Sequence, residues 1–476
     1  MATTLLEKAM IIGGERVRTD EWLEIRSPYS GEPVGRVASG GAAEATAAVD
    51  AAAGAMLDPL PAHARAAILA RISEGIRERA EELAQVLCAE AAKPIAAARI
   101  EASRASATFS AAEHAAKALA GEVVPMEGTA AGAGKLGFTL RLPIGVVGAI
   151  TPFNFPLNLV AHKVAPALAA GCAVVLKPAE KTPLSAFLLA EVIEEAGLPP
   201  GWLNVVAGDP AAIGDVLVAD DRVRLITFTG SSAVGWGLRE RASRKKVLLE
   251  LGNATPAIVL ADADLDTAAQ RLAASAFAFS GQACVSVQRV YVEQDAHEPF
   301  LERFLPRVEA LRVGDPADET TDVGPVIDAA SRDRILGWIE SARAAGATVL
   351  AGGEATEDGL IRPTVLGNAA PELDVSCREV FGPLCTVNPV ASLDEAIELA
   401  NGTPYGLQAG IFTSDLGASL RAARELSFGS VLVNETPSFR SDAMPYGGVK
   451  ESGNTKEGPA AAVRELTEER LVVIQL

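Results

Sequence analysis

The sequence predicts an α/β fold built on parallel sheets. Two observations carry this. Between residues 144 and 260, continuously apolar, β-branched runs alternate with roughly 10–15-residue helical segments, the pattern of strands covered on both faces by crossover helices. Residues 288–434 repeat the alternation, so a second α/β region follows the first. In order, IGVVGAI (144–150) reads as a strand and PLNLVAHKVAPALAAG (156–171) as a mostly apolar helix. CAVVLKP (172–178) is the next strand, and Thr182–Pro183 opens the amphipathic helix SAFLLAEVIEEAG (185–197). LNVVAG (203–208), AAIGDVLVA (211–219), LITFTG (225–230) and SAVGWGLRERAS (232–243) continue strand, helix, strand, helix. Upstream, residues 42–120 are Ala-rich with helical period, interrupted mainly at Pro94. Downstream come QRVYVE, EPFLERFLPRVEAL, RDRILGWIESARAAG, LCTVNPV and DEAIELAN. Two segments stand apart. GKLGFTLRLPIG (134–145) reads as a protruding antiparallel strand pair, and RLVVIQL (470–476) as a terminal strand. Exposed strand edges of this kind invite pairing with another subunit or docking elsewhere.

Composition narrows the class. At 476 residues the chain is too long for one core, and two or three domains are expected. Lys and Arg number 42 against 61 Asp and Glu, a net charge of −19 that repels nucleic acid and anionic membranes. Five scattered cysteines indicate a reducing compartment rather than a disulfide framework. The N-terminal stretch MATTLLEKAMIIGGERVR has no long apolar run and is not a signal peptide. The uncharged span 142–161 contains Gly145, Gly148, Pro152 and Pro156, a poor recipe for a membrane helix. A cytoplasmic protein with no membrane or nucleic-acid partner is expected.

Several motifs mislead. Gly132-Ala-Gly-Lys-Leu-Gly137 fits G-x-G-x-x-G but lacks the strand before and the helix after that a phosphate cradle needs. Asp262-Ala-Asp-Leu-Asp266 starts like a calcium loop, yet its sixth and twelfth positions are Thr267 and Ala273, which favours a helix cap. The four histidines have no metal spacing, so no metal site is expected. G-x-S-x-G is absent.

The remaining junctions each admit a plain structural reading. Thr151-Pro-Phe-Asn-Phe-Pro156 runs from a buried strand into a helix, where Asn154 is equally a helix cap or a ligand at the mouth of the sheet. Phe228–Gly235 is a second strand-to-helix turn, in which Gly230 and Ser231 either make an ordinary turn or hold an anion on helix amides. Glu250, between two leucines, faces solvent or sits in an apolar cleft with a raised pKa suited to proton transfer. Cys284, in Gly281-Gln-Ala-Cys284, is either inert and buried or an activated loop thiolate.

Taken together with Glu379–Pro383 and Pro445–Gly453, these segments resemble the NAD(P)-dependent aldehyde dehydrogenase superfamily in order and spacing, over essentially the whole chain. The resemblance implies two Rossmann-like α/β domains plus a small β oligomerisation arm. It assigns 1–122 and 144–251 to an NAD-binding domain, 252–450 to a catalytic domain, and 123–143 with 451–476 to the arm. Asn154 then matches the oxyanion-hole amide, Glu250 the general base and Cys284 the nucleophile. Ile150, Thr151, Pro152, Phe153, Lys177, Glu180, Gly230, Ser231, Leu251, Gly252, Glu379 and Phe381 match cofactor-binding positions. Glu180 beside Lys177 favours NAD over NADP, because its charge repels a 2′-phosphate. Departures occur at Asn253, Thr455–Lys456 and Tyr446, the last in place of the commoner phenylalanine.

The implied reaction is attack of a Cys284 thiolate on an aldehyde, hydride loss to the nicotinamide, and hydrolysis of the thioester by water that Glu250 activates. A coenzyme-A-acylating relative and a non-catalytic scaffold are the alternatives, with a thioester hydrolase behind them. The runs around Cys284 and from Phe439 to Gly453 look most like the branch acting on lactaldehyde, phosphonoacetaldehyde and, nearby, glyceraldehyde-3-phosphate without phosphorylation. A short polar aldehyde, with or without an anionic group, is therefore expected, with Arg104 and Arg440 as its anion contacts or, equally, as surface ion pairs. A homodimer or homotetramer is expected from the strand edges and the resemblance.

Overall fold

A computed structural model describes residues 5–476, so Met1–Thr4 of the N-terminal stretch lie outside the described residues. Two seven-stranded sheets dominate. In the first, the strands run in the order Lys246–Glu250, Val223–Thr229, Val146–Ile150, Val174–Lys177, Leu203–Val205, Met10–Ile12, Glu15–Val17. The first five are mutually parallel, and the last two are antiparallel additions at the edge. Chain order along the parallel set therefore reverses between Val146–Ile150 and Val223–Thr229. A crevice opens at such a switch point, outside the carboxyl ends of the strands.

The helix Asn158–Ala170 shows how the sequence builds this region. It is buried along its whole length, as a helix apolar on nearly all sides must be. Its two charged or titratable members find partners: Lys163 Nζ donates to Thr227 Oγ1 (3.1 Å) and Glu457 (3.2 Å), and His162 Nε2 meets Asp442 (2.9 Å). The Ala-rich upstream region folds into four helices, Ala42–Ala55, Ala62–Glu78, Ala80–Ala91 and Ile95–Ala118, and the last starts directly after Pro94. Small alanines let these helices approach closely, with Ala98, Ala102, Ala105 and Ala112 fully buried.

The second sheet has the order Thr348–Ala351, Thr364–Gly367, Leu384–Val390, Val287–Glu293, Thr255–Val259, Gln408–Phe412, Ser430–Val433, parallel except at its first strand. The expected mixture of parallel α/β layers is thus observed twice.

The arm differs from the sequence reading in one respect. GKLGFTLRLPIG does not fold back on itself. Lys135–Pro143 is one nine-residue strand, and it pairs antiparallel with Thr467–Gln475 in register from Thr467 opposite Pro143 to Gln475 opposite Lys135. The absence of a central turn signal in KLGFTLRLP explains it: Pro143 ends the strand instead of making a hairpin. Val123–Val124 adds a third strand on the other side. Among the described residues no helix is long and apolar enough to cross a membrane.

Candidate active site

One cavity of about 560 Å³ opens at the switch point. Ile150, Thr151, Pro152, Phe153 and Asn154 leave the first parallel strand into it, and Lys177 and Glu180 leave the second. Gly230 and Ser231 follow Val223–Thr229, and Glu250, Leu251 and Gly252 end Lys246–Glu250. From the second α/β region come Cys284, Glu379 and Phe381, with Arg440 and Tyr446 from the segment beyond its last strand. Every sequence-derived candidate lines this cavity except Arg104.

Cys284 is presented by an unusual backbone. Phe279, Ser280 and Gly281 all have positive φ (48°, 56° and 68°), a run of left-handed residues that tertiary contacts must hold. Gly281 is obligatory here, because a Cβ would lie 2.0 Å from the Gly382 carbonyl oxygen. Ser280 Oγ donates to the Gly324 carbonyl at 2.7 Å, and Thr255 Oγ1 to the Cys284 carbonyl at 3.3 Å. The thiol sits 2.9 Å from the Tyr446 phenol oxygen. Burial pushes the thiol up to about 12; the Tyr446 hydrogen bond and Arg440 oppose this, while Glu379 and Glu250 add to it.

Asn154 does not cap the following helix, which starts at Asn158. Instead the Glu101 carboxylate accepts from the amides of Leu157 (3.0 Å) and Asn158 (3.1 Å). Asn154 Nδ2 donates to the Gln282 carbonyl at 2.9 Å, across the gap to the cysteine loop. Its own carbonyl accepts from Lys93 Nζ at 2.8 Å. That ammonium is buried, pairs with Glu101, and lies over the rings of Phe155 (3.8 Å) and Phe279 (4.4 Å). One buried cation therefore ties the Asn154 segment to the loop that carries Cys284. The sequence reading missed Lys93 and Glu101; the only local signal was a Lys-Pro pair ahead of an Ala-rich helix, and the helix carries two acids, Glu101 and Glu113, of which the structure buries the first.

Glu250 does not face solvent. It is 3% exposed, and neither carboxyl oxygen has a hydrogen-bond partner among the described residues. Burial raises its pKa well above the ordinary carboxylate range, and the nearby Glu457 charge adds to the rise. Glu457 goes the other way: Lys163 and Arg440 keep it ionised. A neutral acid beside an ionised one gives the site a group that can take up or release a proton.

The strand end that carries Glu250 is clamped by the segment 446–457. Leu251 N donates to the Ser452 carbonyl (3.0 Å), Ser452 Oγ to the Gly252 carbonyl (2.6 Å), and Tyr446 and Glu457 exchange backbone hydrogen bonds of 3.0 and 2.6 Å. The departures at 253 and 456 are structural. Asn253 Nδ2 donates to Thr255 Oγ1 (2.8 Å), and Lys456 Nζ to the Gly447 carbonyl (2.6 Å).

The cofactor end shows features that fit a dinucleotide. Gly252 forms a cradle in which a Cβ would lie 2.4 Å from Glu379 Oε2, and the Glu379 carboxyl accepts from Asn253 N at 3.0 Å. Burial raises Glu379 to about 7. Phe381, with positive φ, packs edge-on against Phe153 at 5.7 Å. The hydroxyls of Thr151 and Thr229, both lining the cavity, are buried without a partner among the described residues. Ser231 caps the helix Ser232–Arg241 by position but makes no side-chain cap bond. Lys177 pairs with Glu180, and Lys181 is drawn away to Asp328.

Both candidate anion contacts are already engaged. Arg104 makes two hydrogen bonds to Asp442 (2.9 and 3.1 Å), whose carboxylate also accepts from Asn158 Nδ2 (3.0 Å). Arg440, 7% exposed, pairs with Glu457 at 2.9 Å and lies 3.8 Å from the Tyr446 ring centroid.

Comparison with known proteins fixes the family. The aldehyde dehydrogenase family model matches residues 16–472. A 3-sulfolactaldehyde dehydrogenase of Priestia aryabhattai is 41% identical over 474 residues, covering 100% of this chain and 99% of that protein. A lactaldehyde dehydrogenase of Methanocaldococcus jannaschii is 39% identical over 475 residues, covering 98% of this chain and all of the other. The NADP-dependent glyceraldehyde-3-phosphate dehydrogenase structure from Bacillus halodurans superposes with a TM-score of 0.96 at 36% identity, covering 99% and 100% of the two chains. The chain belongs to the aldehyde dehydrogenase family, as its motifs implied, and is an oxidoreductase acting on aldehydes.

Proposed function

We propose that this aldehyde dehydrogenase oxidises a short 2-hydroxyaldehyde to its carboxylate, with NAD preferred over NADP, through a thioester on Cys284. One observation carries the mechanism: Cys284, the Asn154 amide and the partnerless Glu250 carboxyl line a single cavity. The Cys284 sulfur, once ionised, bonds the aldehyde carbon. The oxygen that becomes anionic accepts from the second N–H of the Asn154 amide, whose first is spent on Gln282, and from the Cys284 amide. A bound nicotinamide supplies the hydride acceptor. Glu250, neutral in its apolar pocket at low pH and basic above its raised pKa, deprotonates the water that cleaves the thioester. Both its oxygens are free to meet that water, which argues against a reading in which coenzyme A replaces it.

The substrate class rests on chemistry shared by the relatives, since lactaldehyde, sulfolactaldehyde and glyceraldehyde-3-phosphate all carry a hydroxyl beside the aldehyde carbon. An anionic end is a second feature of two of them. Arg104 lies outside the cavity wall but is a quarter exposed, and is the candidate for an anionic end that reaches beyond the cavity; Arg440 lines the cavity but is enclosed and paired with Glu457. The NAD preference is supported by the Glu180 carboxylate and by the pairing with Asp328 of Lys181, whose charge would otherwise offset that of Glu180 toward a 2′-phosphate. Initial rates on lactaldehyde, glyceraldehyde-3-phosphate, propanal and succinate semialdehyde test the class. The 2-hydroxyaldehydes should lead in kcat/KM, and propanal turned over equally well would refute the assignment. Cys284→Ala should abolish oxidation of all four and leave NAD binding intact.

A further inference from the structure

We propose that Tyr446 is a catalytic residue of this enzyme, its phenol donating the hydrogen bond that holds the Cys284 sulfur in its reactive, ionised form. The proposal rests on Cys284 being the nucleophile. The phenol oxygen lies 2.9 Å from Cys284 Sγ, and the sulfur is its one hydrogen-bond partner among the described residues. Tyr446 itself is 2% exposed, so water does not compete for that proton. While the thiol is protonated either group can donate, but once the sulfur is ionised only the phenol can.

The surroundings give this bond its weight. The charged groups facing the sulfur are Glu250, Glu379 and Arg440. The two carboxyls oppose ionisation when charged. Arg440 would favour it, but one of its guanidinium nitrogens is spent on Glu457 and the group lies over the face of the Tyr446 ring, 3.8 Å from the centroid. A cation over the ring face draws electron density from the phenol and makes it a stronger donor. Glu457, Arg440, Tyr446 and Cys284 thus form one continuous chain in which each member fixes the next. A phenylalanine, the commoner residue of the family here, keeps the ring and its cation but lacks the donor.

Tyr446→Phe is the test, because it preserves the packing and should unfold within a few degrees of the parent. The readout is the pH dependence of Cys284 alkylation by iodoacetamide, followed on the Cys284 peptide by mass spectrometry. Hydrogen bonds to charged groups are strong enough that the thiolate fraction should fall roughly 10- to 100-fold, read as a correspondingly slower alkylation at every pH between about 7 and 9. The pre-steady-state burst of NADH should slow by a similar factor while the later hydrolytic step does not. An unchanged rate overturns the proposal, and so does a fall that differs between iodoacetamide and a bulkier maleimide, which reports access. If alkylating Cys284 in the parent left turnover intact, the nucleophile assignment itself would fall instead.

Discussion

Replacing Lys93 with methionine separates charge from packing at the buried tie between the two halves of the site. Methionine fills most of the space between Phe155 and Phe279, so little cavity forms. What disappears is the partner of Glu101 and the donor to the Asn154 carbonyl. Removing one member of a buried ion pair costs about 3–5 kcal/mol, because the other charge is stranded. For a domain of this size, roughly 2–4 °C per kcal/mol gives a drop in Tm of about 6–20 °C. Glu101 retains the Leu157 and Asn158 amides, so the lower half of that range is expected. The double variant Lys93→Met/Glu101→Gln removes both charges and should recover a measurable part of the loss. Activity reports a separate quantity. The Asn154 segment, released on one side, shifts relative to Cys284, and a displacement near 1 Å can cost about 10²-fold in rate. Differential scanning fluorimetry with stopped-flow NADH absorbance measures both. A single variant as stable and as active as the parent refutes the reasoning, and so does a double variant less stable than the single one.

Glu250→Gln should leave the first NADH burst in place and slow steady-state turnover. In the parent, turnover should fall as pH drops through the raised Glu250 pKa and return above it, and this acid limb should vanish in the variant. Glu180→Gln should narrow the preference for NAD when kcat/KM is compared for the two cofactors, and a parent enzyme favouring NADP contradicts the carboxylate argument. Asp442→Asn weakens the hold on Arg104 and should lower KM for anionic aldehydes with little change for propanal; equal effects on both would make the pair purely structural. Light scattering should report a dimer or tetramer rather than 49.1 kDa, because Thr467–Gln475 is an open sheet edge and its own Leu471, Val473 and Ile474 are exposed.

The parallel strands of the first sheet were legible because both of their faces are buried: uninterrupted apolar runs such as CAVVLKP and LITFTG admit few other readings. The helices between them followed from period and from punctuation, as at Thr182–Pro183 and Gly171. The partner of Lys135–Pro143 was not legible, since long-range antiparallel pairing leaves no local mark. At the site, residues at strand ends could be read from glycine and proline junctions. What could not be read was which charges cancel. Arg104 and Arg440 were recognisable as cations near the site, yet Asp442 and Glu457, which occupy them, lie 338 and 17 residues away along the chain. Tyr446 was visible as a departure from the family, but its hydrogen bond to a sulfur 162 residues earlier needed coordinates.

The clamp at residues 446–457 has a consequence for biogenesis. Tyr446, Ser452, Gly453 and Glu457 come late in the chain, and the elements they fasten, from Glu250 to Cys284, emerge from the ribosome much earlier. Domains fold as they are synthesised, so both sheets can be largely assembled before this segment arrives. Until then the nascent chain lacks the phenol beside Cys284 and the carboxylate that pairs with Lys163 and Arg440. The clamp around Glu250 and the contact beside Cys284 are therefore incomplete until residues 446–457 have been made.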